Sequence, residues 1–220
     1  MRIKYKNPPI NELVMGLYFK EPIVKFRSEH VGIYWSNIRD EFPKSAQNMM
    51  IGGVDIQVPN EIFPMPRFWF MTEDDVYLIQ VQRNAFIFNW RRQKEEYPHY
   101  ESLKKKFDKH FSKFEKFCKE QFDVSQIGIE RCELSYINII SSEEYFGSFS
   151  DTKRVIPSFE PLSFGAEGAS LKNFNLSYVY SANDDTTLTV NLQTRRLNET
   201  NEDALYFELK SSGALSQPTK

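Results

Sequence analysis

The spacing of hydrophobic positions changes along this chain, and each change marks an element. Behind Pro8-Pro9, the run Ile10-Asn11-Glu12-Leu13-Val14-Met15-Gly16-Leu17-Tyr18-Phe19 is dense in strand formers. It predicts a first strand whose start the prolines hold extended. Val31, Trp35, Ile38 and Phe42 then recur at steps of three and four. That spacing predicts a helix with Ser28 as its N-cap and Pro43 as its stop. Residues 47–66 hold Gly52-Gly53, Pro59, Pro64 and Pro66. They predict a long loop, and loops of that length serve as binding loops or covering flaps.

The clearest strand signal follows. Arg67-Phe68-Trp69-Phe70-Met71-Thr72, Val76 to Gln82 and Ala85 to Arg91 are strands separated by Glu73-Asp74-Asp75 and Arg83-Asn84. Such short connections predict an antiparallel meander. From Tyr97 to Gln121 the apolar residues Tyr100, Leu103, Phe107, Phe111, Phe114, Phe117 and Cys118 form one helical stripe. Beyond it, residues 127–140 read as a long strand and 142–170 as an irregular connection. Residues 174–180 and 187–195 make a hairpin about Asn183-Asp184-Asp185, and 203–210 form a last strand before a loose tail from Ser211.

The two halves repeat an order: strand, connection, three-strand meander. The sequence therefore predicts an α+β fold of duplicated strand-helix-meander-helix units, residues 1–122 and 123–220, fused into one domain. Their strands form a curved, mainly antiparallel sheet packed on helices. The second unit is expected to lack its terminal helix, which leaves a hydrophobic gap for a partner or a second copy.

Composition narrows the class. Aromatic residues make up 15% of the 220, with 19 phenylalanines, so core material is plentiful. Two cysteines, Cys118 and Cys132, fit a reducing cytoplasm rather than a disulfide scaffold. No apolar run approaches the roughly 20 residues that span a bilayer, and the N-terminus lacks a signal-peptide pattern. Up to Phe122 there are 20 basic and 16 acidic residues, and beyond it 8 and 14. The halves thus differ in sign, but neither balance announces a nucleic-acid binder.

Candidate chemistry is sparse. His30, His99 and His110 lie far apart, and the cysteines form no CxxC pair, so no metal and no cofactor is expected. GxSxG, Walker A and GxGxxG patterns are absent, and no catalytic residue is assigned. Gly165 to Ser170 reads as a flexible loop. The face of Lys104, Lys105, Lys109, Lys113 and Lys116 reads either as contact with phosphates or an acidic partner, or as a solvated surface. On the meander, Gln80 and Gln82 share a strand face beside Asn89 and Arg91. With Arg92 and Arg67, they line either a polar ligand groove or a solvated outer face. Arg195-Arg196 adds charge in the second half.

Five segments together resemble a known family. They are Pro8-Pro9-Ile10-Asn11-Glu12, Leu78-Ile79-Gln80-Val81-Gln82, Phe86-Ile87-Phe88-Asn89-Trp90-Arg91, Tyr97-Pro98-His99-Tyr100 and Glu133-Leu134-Ser135-Tyr136-Ile137-Asn138. They are similar to a sporadically distributed family of bacterial and archaeal proteins without an established activity. The resemblance implies horizontally exchanged genes, including mobile-element or defence settings. The expected function is a non-enzymatic cytoplasmic module engaging a protein partner or a small ligand. The alternative is a phosphate- or nucleotide-handling enzyme, or a nucleic-acid binder, using the meander face.

Overall fold

The structure, a computed structural model, describes residues 8–51, 65–94, 96–157, 159, 171–183, 185–197 and 200–214. Gly52-Gly53, Pro59, Pro64, the Gly165–Ser170 loop and the end of the tail lie outside them. The fold is α+β. Nine strands take the order β2-β3-β4-β5-β1-β6-β9-β8-β7, and the chain divides into two compact units.

One unit comprises residues 12–134 with 212–220. Its strands are β1 (Ile10–Phe19), β2 (Lys44–Asn48), β3 (Arg67–Met71), β4 (Tyr77–Gln82) and β5 (Ala85–Arg91), with helices α1 (Ser28–Ser36) and α2 (Tyr100–Phe122). The meander forms as the turn chemistry predicts, with Phe70 opposite Ile79 and Ile79 opposite Phe88. β1 adds to it antiparallel, placing Leu13, Met15 and Leu17 opposite Trp90, Phe88 and Phe86. These residues share the face that meets α2. Phe114 lies at the centre of that contact, within 6.2 Å of the rings of Phe19, Phe26, Tyr34 and Phe86. Burying each such side chain contributes about 2–3 kcal/mol.

Four local expectations change here, the first being that α1 ends at Ser36, short of the expected stop at Pro43. Ser28 is the first helical residue and Arg27 the cap, because the Arg27 N–H donates to His30 Nδ1 at 3.2 Å. Residues 44–48, of which 47 and 48 fall in the expected long loop, form strand β2 against β3. Backbone pairing with Arg67–Met71 supplies what the side chains do not advertise. On α2 the buried stripe includes His110, whereas Phe111 is half-buried.

The other unit comprises residues 1–11 with 135–211. It draws on β6 (Ile129–Ser141), β7 (Asn175–Asn183), β8 (Thr186–Arg196) and β9 (Asp203–Ala214). Strand β9 continues through Ser211–Ala214, where the sequence predicts a loose tail. The connection after β6 is also more regular than its composition predicts. It holds helix α3 (Ser142–Tyr145) and a 3-10 helix, Phe149–Arg154. The Ser141 hydroxyl caps α3 by accepting from the Glu144 N–H, so Ser141-Ser142-Glu143-Glu144 was a readable start signal. Ile140, Phe146, Phe149, Leu192 and Leu205 form this unit's core, with Phe159 stacked on Phe174 at 4.5 Å.

Candidate functional site

The meander residues come together on the sheet face opposite α2, where they are buried. Gln80, Gln82 and Asn89 are each at most 5% exposed. Gln80 Nε2 donates to Asn89 Oδ1 at 2.6 Å, and Asn89 Nδ2 donates to Glu12 Oε1 at 2.6 Å. Gln82 grips Ile51: its Oε1 accepts from the Ile51 N–H at 3.1 Å, and its Nε2 donates to the Ile51 carbonyl at 3.0 Å. Apart from Gln80 Oε1, these amide groups bond to one another, to Glu12 and to the backbone, as buried polar groups generally do. Arg91 turns to the β3–β4 connection, donating through Nε to the Asp75 carbonyl at 3.1 Å. Lys44 pairs with the same Asp75 at 3.1 Å. Arg92 is half-buried just past β5.

Arg67 stands apart from that chain, with its guanidinium over the Trp69 ring at 5.5 Å. Arg67 Nε, Trp69 Nε1 and Gln80 Oε1 are shielded from solvent and have no hydrogen-bond partner among the described residues. Trp69 lies directly opposite Gln80 in the β3–β4 register.

The lysine face of α2 is largely neutralised. Lys104 binds Asp108 at 2.6 Å and Lys116 lies 3.8 Å from Glu120. Lys109 and Lys113 converge on Glu41 at 3.2 and 3.8 Å. Lys105 is exposed. Glu41 also lies 3.2 Å from His110 Nε2. That imidazole is 1% exposed, packed between Phe42 and Phe88. Burial pulls its pKa down to about 4 despite the opposing pull of Glu41, with Lys109 and Lys113 adding to the effect. Burial likewise pushes the Cys118 thiol up to about 12, so it stays protonated and packs as an apolar group. Among the described residues no group of three His, Cys, Asp or Glu is placed to hold a metal ion. No helix among them is long and apolar enough to cross a membrane.

An open cleft lies in the other unit. It encloses about 580 Å³ and is lined by residues that include Ser148, Ser150, Lys172, Asn173, Thr194, Arg195, Arg196 and Asp203. Three local features build it. Gly147, at φ +81°, takes a left-handed conformation that suits glycine and turns the chain from α3 into the 3-10 helix. Phe149 buries its ring beneath that turn, which leaves Ser148 and Ser150 exposed. The Thr194 hydroxyl accepts from the Phe174 N–H at 3.3 Å, fixing the end of β8 against the segment of Lys172. Arg195 and Arg196 follow on β8 with side chains on alternate faces. Arg195 lies over the Tyr206 ring at 5.1 Å, and Arg196 Nε is 3.5 Å from Asp203 Oδ1.

Of these residues, sequence reasoning singled out Arg195-Arg196 as added charge. Lys172, Ser148 and Thr194 escaped it because they lie in separate segments with no shared period. Only folding of the α3 region onto β8 brings them together. No family model matches this chain, and no curated protein is similar to it.

Proposed function

We propose that this chain is a non-enzymatic binding module that holds a small anionic ligand in the cleft of Lys172, Arg195 and Arg196. The supporting observation is the cleft's composition: its lining residues include Lys172, Arg195 and Arg196 and one acidic residue, Asp203. Surplus positive charge in a concavity is what a phosphate or carboxylate needs to give up its water. The arginine guanidinium adds a planar fork that grips such oxygens in pairs. Serine and threonine hydroxyls and the Asn173 amide supply further polar contacts, and the volume falls in the roughly 300–1,000 Å³ range of small-molecule sites.

This reading places the ligand away from the meander, where Gln80, Gln82 and Asn89 use their amides on internal bonds. It keeps the module in the cytoplasm, where Cys118 and Cys132 remain thiols. The duplicated origin of the fold belongs to the same proposal, and the strand order supports it. From β1 the order runs β5, β4, β3, β2, and from β6 it runs β9, β8, β7, so the two directions match except for the extra strand β2. Each direction starts with a first strand and continues through a meander in reverse.

Native mass spectrometry of the purified chain, titrated with inorganic pyrophosphate and with malate, tests the binding claim. The expected result is a one-to-one adduct with at least one of the two, released on denaturation and depleted in Arg195→Gln. Adducts of equal intensity in both proteins, or none with either anion, contradict it.

A further inference from the structure

Strands β2 and β7 close the two ends of the strand order, and they are guarded differently. Strand β2 is five residues long and carries Lys44, a charge that discourages pairing with another chain. Strand β7 is nine residues long, and its sequence, NLSYVYSAN, contains no charged residue, proline or glycine. Tyr178, Val179 and Tyr180 are 51, 67 and 54% exposed. Because successive residues point to opposite faces, both faces of this strand are open to solvent. An edge of this length and chemistry is a template for a further strand.

The sequence of β7 selects which strand. Ser177-Tyr178-Val179-Tyr180-Ser181 reads the same in both directions. A copy of the strand laid antiparallel against it, with a two-fold axis at Val179, sets Tyr178 opposite Tyr180, Ser177 opposite Ser181 and Val179 opposite itself. We propose that β7 pairs with β7 of a second copy of this chain about that axis. Within one copy the rings of Tyr178 and Tyr180 already stack with centroids 6.5 Å apart. Leu188, 37% exposed, sits opposite Tyr180 on β8 and extends the apolar surface. Pairing two such edges lines up four tyrosines on one face, the kind of cross-strand aromatic contact that stabilises sheets. The contact is isologous, so it closes at a dimer. No like charges meet across the axis. A single strand pair buries less than the roughly 800 Å² per partner of a standard interface, so the dimer dissociates on dilution.

Sedimentation velocity over a concentration series tests the assembly. The expected outcome is a reversible monomer–dimer equilibrium for the natural chain. Val179→Lys and Val179→Glu, each at a residue already largely exposed, are expected to be monomeric alone and to associate when mixed. Cross-linking fixes the register. Cysteines at Val179→Cys face each other across the axis at about 4.5–5.5 Å between Cα atoms, within disulfide reach. Cysteines at Ser177→Cys lie four residues out of register, about 14 Å apart. Oxidation is expected to give disulfide dimers with the first and not with the second. A natural chain that stays monomeric at every concentration, or a dimer indifferent to both charged variants, overturns the proposal. Val179 does not line the cationic cleft, so failure here and failure of anion binding are separable results.

Discussion

Asn89 is where the buried face of the meander holds together, because its amide gives a hydrogen bond to Glu12 and takes one from Gln80. Asn89→Leu keeps the volume but removes both, leaving the Gln80 N–H without its acceptor in a solvent-free site. The expected cost is about 2–3 kcal/mol, seen as a lower urea midpoint with an unchanged slope. His110 makes a pH-dependent contribution of definite sign. Folding lowers its pKa from 6.5 to about 4, so between those values the unfolded chain binds a proton that the native chain does not. Stability conferred by the neutral imidazole is therefore complete above about pH 6.5 and declines as the pH falls toward 4. His110→Gln is expected to flatten the decline across that window, measured by urea unfolding at a series of pH values. A parallel decline in both proteins contradicts this assignment.

Among the elements, α2 anchors its unit, and not all of its stripe weighs equally. Phe114 is fully buried among rings from β1, β5 and α1, whereas Phe111 is half-buried. Phe114→Ala is expected to cost about 3–5 kcal/mol, and Phe111→Ala less than half of that, by equilibrium denaturation. Equal losses contradict the burial order. Element identity was largely legible from the sequence. The meander and α2 announce themselves through turn residues and a sustained stripe, and both form where the spacing puts them. Strand β2 was not legible, since Lys44-Ser45-Ala46-Gln47-Asn48 has no apolar face and gains its structure from backbone pairing with β3. The α3 region was missed for a different reason: its cap signal sits within a Ser- and Gly-rich stretch that reads as a loop. The meander face reads as either a groove or a solvated surface, and burial of Gln80, Gln82 and Asn89 removes the solvated reading for these three. Its glutamines and asparagine are polar by type but buried by position, a distinction that alternation alone does not make.

At the scale of the whole molecule, charge is the property that distinguishes the cleft from the other polar surfaces. Lys104, Lys109, Lys113 and Lys116 of α2 meet acids on their own helix or at Glu41, and the meander amides Gln80 and Asn89 meet one another. The cleft's lining residues include Lys172, Arg195 and Arg196 and one acidic residue, Asp203. Sequence composition concealed this, because the cleft's cations sit within the more acidic half of the chain. Arg195 is the informative residue to change, since Arg196 is engaged with Asp203. Isothermal titration calorimetry of the purified chain with pyrophosphate or malate, at low and high salt, tests the central claim most directly. The expected result is saturable one-to-one binding that weakens with salt and loses about 10- to 100-fold in affinity in Arg195→Gln, as for a charge-assisted hydrogen bond. Affinity that is equal in the two proteins, or the absence of saturable binding by either anion, contradicts it.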